Sequence, residues 1–142
     1  MLIKEKVLFI CVHNSARSQM AEALLKHLAQ DSFVVESAGL EPGKLNPLAI
    51  EVMREIGIDI SQNKTKSVLD LYRQGKHYDI VITVCDESQS GRCPVFPGVK
   101  VQEHWSLEDP AGFGGSWEER LEKSRRIRDE IKHRIMERFK LE

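Results

Sequence analysis

The sequence predicts an α/β fold, a small four-stranded parallel sheet with helices on both faces. Three observations carry this expectation. Short, continuously apolar runs recur along the chain, the pattern of strands buried on both faces rather than one. Stretches of helical periodicity separate most of them, giving the order β-α-β-α-(α)-β-β-α. Parallel strands linked through helices require right-handed crossovers, which place helices over both faces of the sheet.

The first strand is Val7-Leu8-Phe9-Ile10-Cys11. From Ser18 the spacing turns helical, with Ala21, Leu24, Leu25 and Leu28 at i, i+3, i+4 and i+7. Ser32 to Ser37 reads as a second strand, closed by Ala38-Gly39. Asn46-Pro47 is a helix start, with Asn as N-cap and Pro at the first helical position. Ala49, Val52, Met53 and Ile56 form its apolar stripe, and Gly57 stops it. Val68 to Gln74 gives a short helix ended by Gly75. Asp79 to Cys85 is a further buried strand and Val99 to Trp105 a fourth. Ser116-Trp117-Glu118-Glu119 is a capping-box pattern that opens a final helix with Leu121, Ile131, Ile135 and Phe139 inward.

The 142 residues, 41% hydrophobic and 30% charged, suit one ordinary globular core, so residues 1–142 are expected to form a single domain. Twenty-one basic and 22 acidic side chains leave a net charge of −1, which excludes a whole-protein field for nucleic acid or anionic lipid. The Arg-rich final helix also carries many acids and reads as a solvated face. The apolar run after Met1–Lys6 is only six residues and lacks a following cleavage site, so it is read as a strand and not a leader. No run is long enough to span a membrane. Three cysteines, Cys11, Cys85 and Cys93, are too few and odd in number for a secreted disulfide framework. A cytoplasmic monomer is expected.

The chemistry concentrates where the first strand exits, at Cys11-Val12-His13-Asn14-Ser15-Ala16-Arg17-Ser18. A short loop from a strand into a helix turns successive N–H groups into a concavity and adds the positive helix end, an oxyanion site. His13, Asn14, Ser15, Ala16, Arg17 and Ser18 are therefore the candidate oxyanion-binding residues. Arg17 brings a planar fork suited to a tetrahedral oxyanion. That positive field favours Cys11 as a thiolate nucleophile, to which the Ser18 hydroxyl can donate. Asn14 tolerates unusual backbone angles and can fix the loop. The bland alternative is a buried strand-end cysteine beside a capping serine, with Arg17 in solvent.

Cys-x5-Arg-Ser at the first strand's exit resembles the phosphate loop of the low-molecular-weight protein tyrosine phosphatases. The longer string Asn14-Ser15-Ala16-Arg17-Ser18-Gln19-Met20-Ala21-Glu22 more closely resembles the thioredoxin-coupled arsenate reductases of the same superfamily; Gln19 stands where the phosphatases usually have Pro. The resemblance continues through Glu36-Ser37-Ala38-Gly39, Gly57 to Ser61, Val84-Cys85, Cys93-Pro94 and Glu103-His104-Trp105 to Asp109-Pro110-Ala111. It implies catalytic roles for Cys11, Arg17, Cys85, Cys93 and Asp109. Cys11 would attack arsenate, Cys85 would attack Cys11 and release arsenite, and Cys93 would resolve the Cys11–Cys85 disulfide. The Cys85–Cys93 disulfide would then pass to thioredoxin, with no bound redox cofactor. Phosphate or sulfate could also occupy the loop.

Read from the residues alone, Cys85 is equally a filler of its buried strand, while Cys93 follows a polar segment. Seven residues separate these cysteines, where the relatives have six. Zinc is poorly supported, because there is no Cys-x2-Cys pair and the histidines show no ligand spacing. Asp109-Pro110 either starts a turn or, as in the phosphatase relatives, supplies a general acid. Ala111-Gly112 replaces the tyrosine pair that often follows it there, which favours a small inorganic substrate. Trp105 is assigned to the core. Some reductases of this group hold potassium near residues matching Asn14, Glu22 and Ser37. Ser67, flanked by Lys64 and Lys66, stands where an Asp contributes, so no metal is expected. The second functional reading is a low-molecular-weight phosphatase using Cys11, Arg17 and Asp109, and the third is a non-enzymatic oxyanion-binding module.

Overall fold

The computed structural model describes residues 4–29, 31–85 and 96–141. Four strands, β1 (Glu5–Cys11), β2 (Phe33–Gly39), β3 (Ile80–Thr83) and β4 (Val101–His104), form one parallel sheet in the order β2-β1-β3-β4. The helices are α1 (Arg17–Ala29), α2 (Pro47–Arg54), α3 (Val68–Arg73) and α4 (Trp117–Arg138). Strand order steps from β1 to β2 on one side, then jumps back across β1 to β3. The direction of winding therefore reverses between β1 and β3, the place where such sheets open a crevice at their carboxyl edge.

Alternate residues of β1 feed two cores, which is why its sequence is apolar without a break. Val7 and Phe9 pack with Met20, Leu24, Val52, Met53, Ile131 and Ile135 beneath α1, α2 and α4. Leu8 and Ile10 point the other way, to Val68, Leu71, Tyr78, Val81 and Phe96. A fully buried side chain of this size contributes about 1.5–3 kcal/mol. Trp105 lies in the first core, with its ring 5.9 Å from that of Phe9.

The expected helix signals act as read. Asn46 Oδ1 accepts from the Leu48 N–H at 2.9 Å, Pro47 occupies the first turn of α2, and Gly57 takes φ +82° beyond its end. Ser116 and Glu119 form the complete capping box of α4. Several boundaries differ from expectation: β4 covers 101–104 rather than 99–105, and α2 ends at Arg54, leaving Ile56 exposed beyond it. β2 runs on through Ala38 and Gly39, because Gly39 pairs with Cys11. β3 is only four residues long, matching the four of β4. Phe139 caps α4 and packs edge-on against Phe33 at 5.0 Å. The basic side of α4 is also less solvated than its composition suggests. Arg128 is buried and donates to the Val52 carbonyl and to Glu55 Oε1, both at 2.9 Å, clamping α2 to α4.

Candidate active site

Cys11 ends β1 and Arg17 begins α1, so residues 12–16 must turn within the crevice. The segment following β2 decides how. Leu40 N–H donates to the Cys11 carbonyl at 3.1 Å, Glu41 N–H to Val12 at 2.7 Å, Gly43 N–H to His13 at 3.0 Å, and Asn46 N–H to Ser15 at 2.9 Å. Every described peptide bond is trans, so a carbonyl and the N–H that follows it point opposite ways. With those carbonyls pulled outward, the N–H groups of Val12, His13, Asn14 and Ala16 turn inward. The Asn14 N–H reaches Cys11 Sγ at 3.2 Å, which fixes the thiol on the concave side.

The amides of Val12, His13, Asn14 and Ala16 thus face away from residues 40–46. Ser15 instead gives its carbonyl to Asn46, and His13 holds the outer wall through Nδ1 to the Glu41 carbonyl at 2.8 Å. Asn14 takes φ +54°, a conformation that Asn accepts at little cost.

Gly39 is what allows the loop to sit so close. A Cβ there would lie 2.7 Å from Asn14 N and 2.8 Å from both the His13 carbonyl carbon and the Val12 oxygen, all backbone atoms. Gly39→Ala is therefore expected to cost about 2–4 kcal/mol and to weaken phosphate binding, measured by urea unfolding and calorimetry. A variant as stable as the parent would show that the loop has room to move.

The buried side chains behind the loop form one network. The Lys66 N–H donates to Asn14 Oδ1 at 3.0 Å, and that fixed donor identifies the other end of the amide as Nδ2. Nδ2 donates to Ser18 Oγ at 2.7 Å and to Ser37 Oγ at 3.0 Å. Ser18 Oγ also lies 2.8 Å from Cys11 Sγ, and either atom can be the donor in that bond. Gln19, which stands where the phosphatases have Pro, donates from Nε2 to Asn14 Oδ1 and to the Lys64 carbonyl, both at 3.1 Å. Its Oε1 accepts from Asn63 Nδ2 at 3.1 Å, so the residue that replaces proline ties the loop to residues 63–66.

Arg17 is 3% exposed, not on a solvated face. Its Nη1 donates to the Leu107 carbonyl at 3.1 Å, and its Nη2 lies 3.4 Å from Asp109 Oδ2. The two carboxylate oxygens of Asp109 have different partners. Oδ1 accepts from the Ala111 N–H at 3.0 Å to cap the turn Pro110–Gly112, while Oδ2 faces the guanidinium.

Cys85 also reaches the crevice. The Val84 N–H donates to the Ile10 carbonyl at 2.8 Å, continuing the β1–β3 ladder by one residue and leaving Cys85 beside the carboxyl end of β1. Cys11 and Cys85 are both buried thiols. Cys93 lies outside the described residues. His104 turns to the sheet, with Nδ1 2.6 Å from Thr83 Oγ1. Among the described residues, no three His, Cys, Asp or Glu side chains are placed to hold a metal ion, and no helix is long and apolar enough to cross a membrane.

The family model for low molecular weight phosphotyrosine protein phosphatase matches residues 6–140. The chain belongs to that family. Within it, the arsenate reductase of Staphylococcus xylosus is 44% identical over 138 residues, covering 97% of this chain and 98% of the relative. A solved arsenate reductase in its oxidized state superposes with a TM-score of 0.79 at 35% identity, over 94% of this chain and 95% of the other. The thioredoxin-dependent arsenate reductase of Corynebacterium glutamicum gives a TM-score of 0.71 at 38% identity, over 96% of this chain and 61% of that one. These relatives place the chain on the reductase side of the family's resemblances, as Gln19 in place of proline had indicated.

Proposed function

We propose that the chain, residues 1–142 acting as one domain, reduces arsenate to arsenite with electrons from thioredoxin. The observation that carries this reading is the pairing of Cys11, inside an oxyanion loop, with a second buried thiol at the adjacent strand end, Cys85. Hydrolysis of a phosphate ester needs only the first. The inward amides of the loop and Arg17 hold the arsenate oxygens, and Ser18 steadies the Cys11 thiolate. Sγ attacks arsenic, and hydroxide leaves as water with a proton from Asp109. The Cys85 thiolate then attacks Cys11 Sγ. The S–As electron pair passes to arsenic, arsenite departs, and a Cys11–Cys85 disulfide remains. Cys93 attacks Cys85, frees Cys11 as thiolate, and leaves a Cys85–Cys93 disulfide for thioredoxin to reduce.

The test is arsenate-dependent NADPH oxidation with thioredoxin and thioredoxin reductase present. Turnover sustained far beyond the enzyme concentration is expected. Oxidation that stops near one equivalent would overturn the relay. The Arg17–Asp109 contact keeps a second reading open, phosphatase chemistry with Cys11 as nucleophile and Asp109 as acid. Steady hydrolysis of an aryl phosphate without arsenate turnover would select it.

A further inference from the structure

Behind the loop, the hydrogen-bond chain that starts at Cys11 does not end in solvent. It passes from Ser18 to Asn14 and Ser37, and Ser37 Oγ donates to Glu22 Oε1 at 2.5 Å. Glu22 is 7% exposed, and a carboxylate buried that far needs compensating charge. Two lysines supply it. Lys26, one turn along α1, donates to Glu22 Oε2 at 2.5 Å, and Lys66 Nζ lies 3.8 Å from Oε1. Lys66 also reaches the network with its backbone, donating to Asn14 Oδ1 at 3.0 Å and accepting from the Gly39 N–H at 2.8 Å. One residue thus touches both ends of the polar chain and the glycine against which the loop is packed.

We propose that Lys66, assisted by Lys26, is a built-in cation for this network and a positioning residue for the oxyanion loop. A free potassium ion does not fit the same place. Two ammonium groups already meet the negative charge of Glu22, and the Asn14 carbonyl already accepts two N–H donors. Ser67 adds no ligand, because its hydroxyl caps α3 by accepting from the Asp70 N–H. Tethering the cation removes the entropic cost of capturing a free one and makes loop order independent of the surrounding monovalent ions. The inference rests on Cys11 being the nucleophile of the proposed reaction.

The test avoids turnover, so a chain that failed to reduce arsenate would leave the inference standing. In a Cys85→Ser/Cys93→Ser background, phosphate affinity and the rate of Cys11 alkylation are measured in potassium chloride and in tetramethylammonium chloride at equal ionic strength. The background protein is expected to respond equally in both salts. Lys26→Met/Lys66→Met is expected to lose about three- to tenfold in both readouts, with potassium restoring most of the loss and Lys66→Arg behaving as the parent. A saturable potassium response in the parent would overturn the proposal. So would a double variant indistinguishable from it, or a loss that no monovalent cation reverses. Should the double variant not fold, Lys66→Met alone is read against the same two salts.

Discussion

Cys11→Ser is expected to abolish arsenate reduction, by at least about 10⁴-fold, while phosphate still binds. The two effects separate because different atoms produce them. In the proposed mechanism, binding comes from the inward amides of Val12, His13, Asn14 and Ala16 and from the Arg17 guanidinium. The loop carbonyls are held by residues 40–46 and Arg17 by the Leu107 carbonyl, and of these groups the thiol touches only the Asn14 N–H. The chemistry proposed comes from Sγ, which carries the bond to arsenic and later leaves it as a disulfide partner. A serine oxygen fits the space beside the Asn14 N–H and Ser18 Oγ but can neither attack efficiently nor form a disulfide. Calorimetry with phosphate and the coupled NADPH assay measure the two halves. Turnover within tenfold of the parent would remove Cys11 from the mechanism; lost phosphate binding would show that the thiol builds the loop as well as reacting in it.

What the sequence made legible follows from how local each cause is. The buried strand Val7–Cys11, the caps Asn46 and Ser116, and the loop from Cys11 to Arg17 depend on residues within a few positions of one another, and all appear in the structure. The apolar pattern Asp79–Cys85 overran β3, which ends at Thr83, but a parallel strand still carries the residues just after it, Val84 and Cys85, toward the carboxyl edge of the sheet. The support for the loop was not legible in the same way. Gly39, Lys66 and the Leu107 carbonyl act on residues 25 to 90 positions away, and the Arg17–Leu107 bond spans 90. Nothing in the local pattern of Lys66, in a polar stretch between Ser61 and Ser67, distinguishes it from a solvated lysine. Gln19 carried a visible signal, standing where relatives of the phosphatase type have proline, but two of its three partners come from the packing of residues 63–64 against α1. Asp109 shows why the choice between turn and acid could not be made from Asp-Pro alone. The carboxylate has two oxygens: one caps the turn and the other faces the Arg17 guanidinium, so the turn contact does not occupy the whole group.

Cys85→Ser separates the reductase from the phosphatase with the same protein. Arsenate-dependent NADPH oxidation is expected to fall by at least about 10³-fold, because the thioarsenate on Cys11 loses the buried thiol that would attack it. Hydrolysis of an aryl phosphate, if the parent shows any, is expected to stay within about twofold, since attack by Cys11, charge stabilisation by Arg17 and protonation by Asp109 leave residue 85 untouched. The replacement is sterically small, but a hydroxyl at a position 1% exposed costs about 1–3 kcal/mol if it finds no partner, so thermal unfolding is recorded beside both assays. The contrast is diagnostic only in that combination. A stable variant that loses both activities would mean that Cys85 supports the crevice rather than the relay. One that keeps reducing arsenate would mean that an external thiol attacks Cys11 directly, and the carboxyl end of β3 would then hold an inert cysteine beside a one-thiol enzyme.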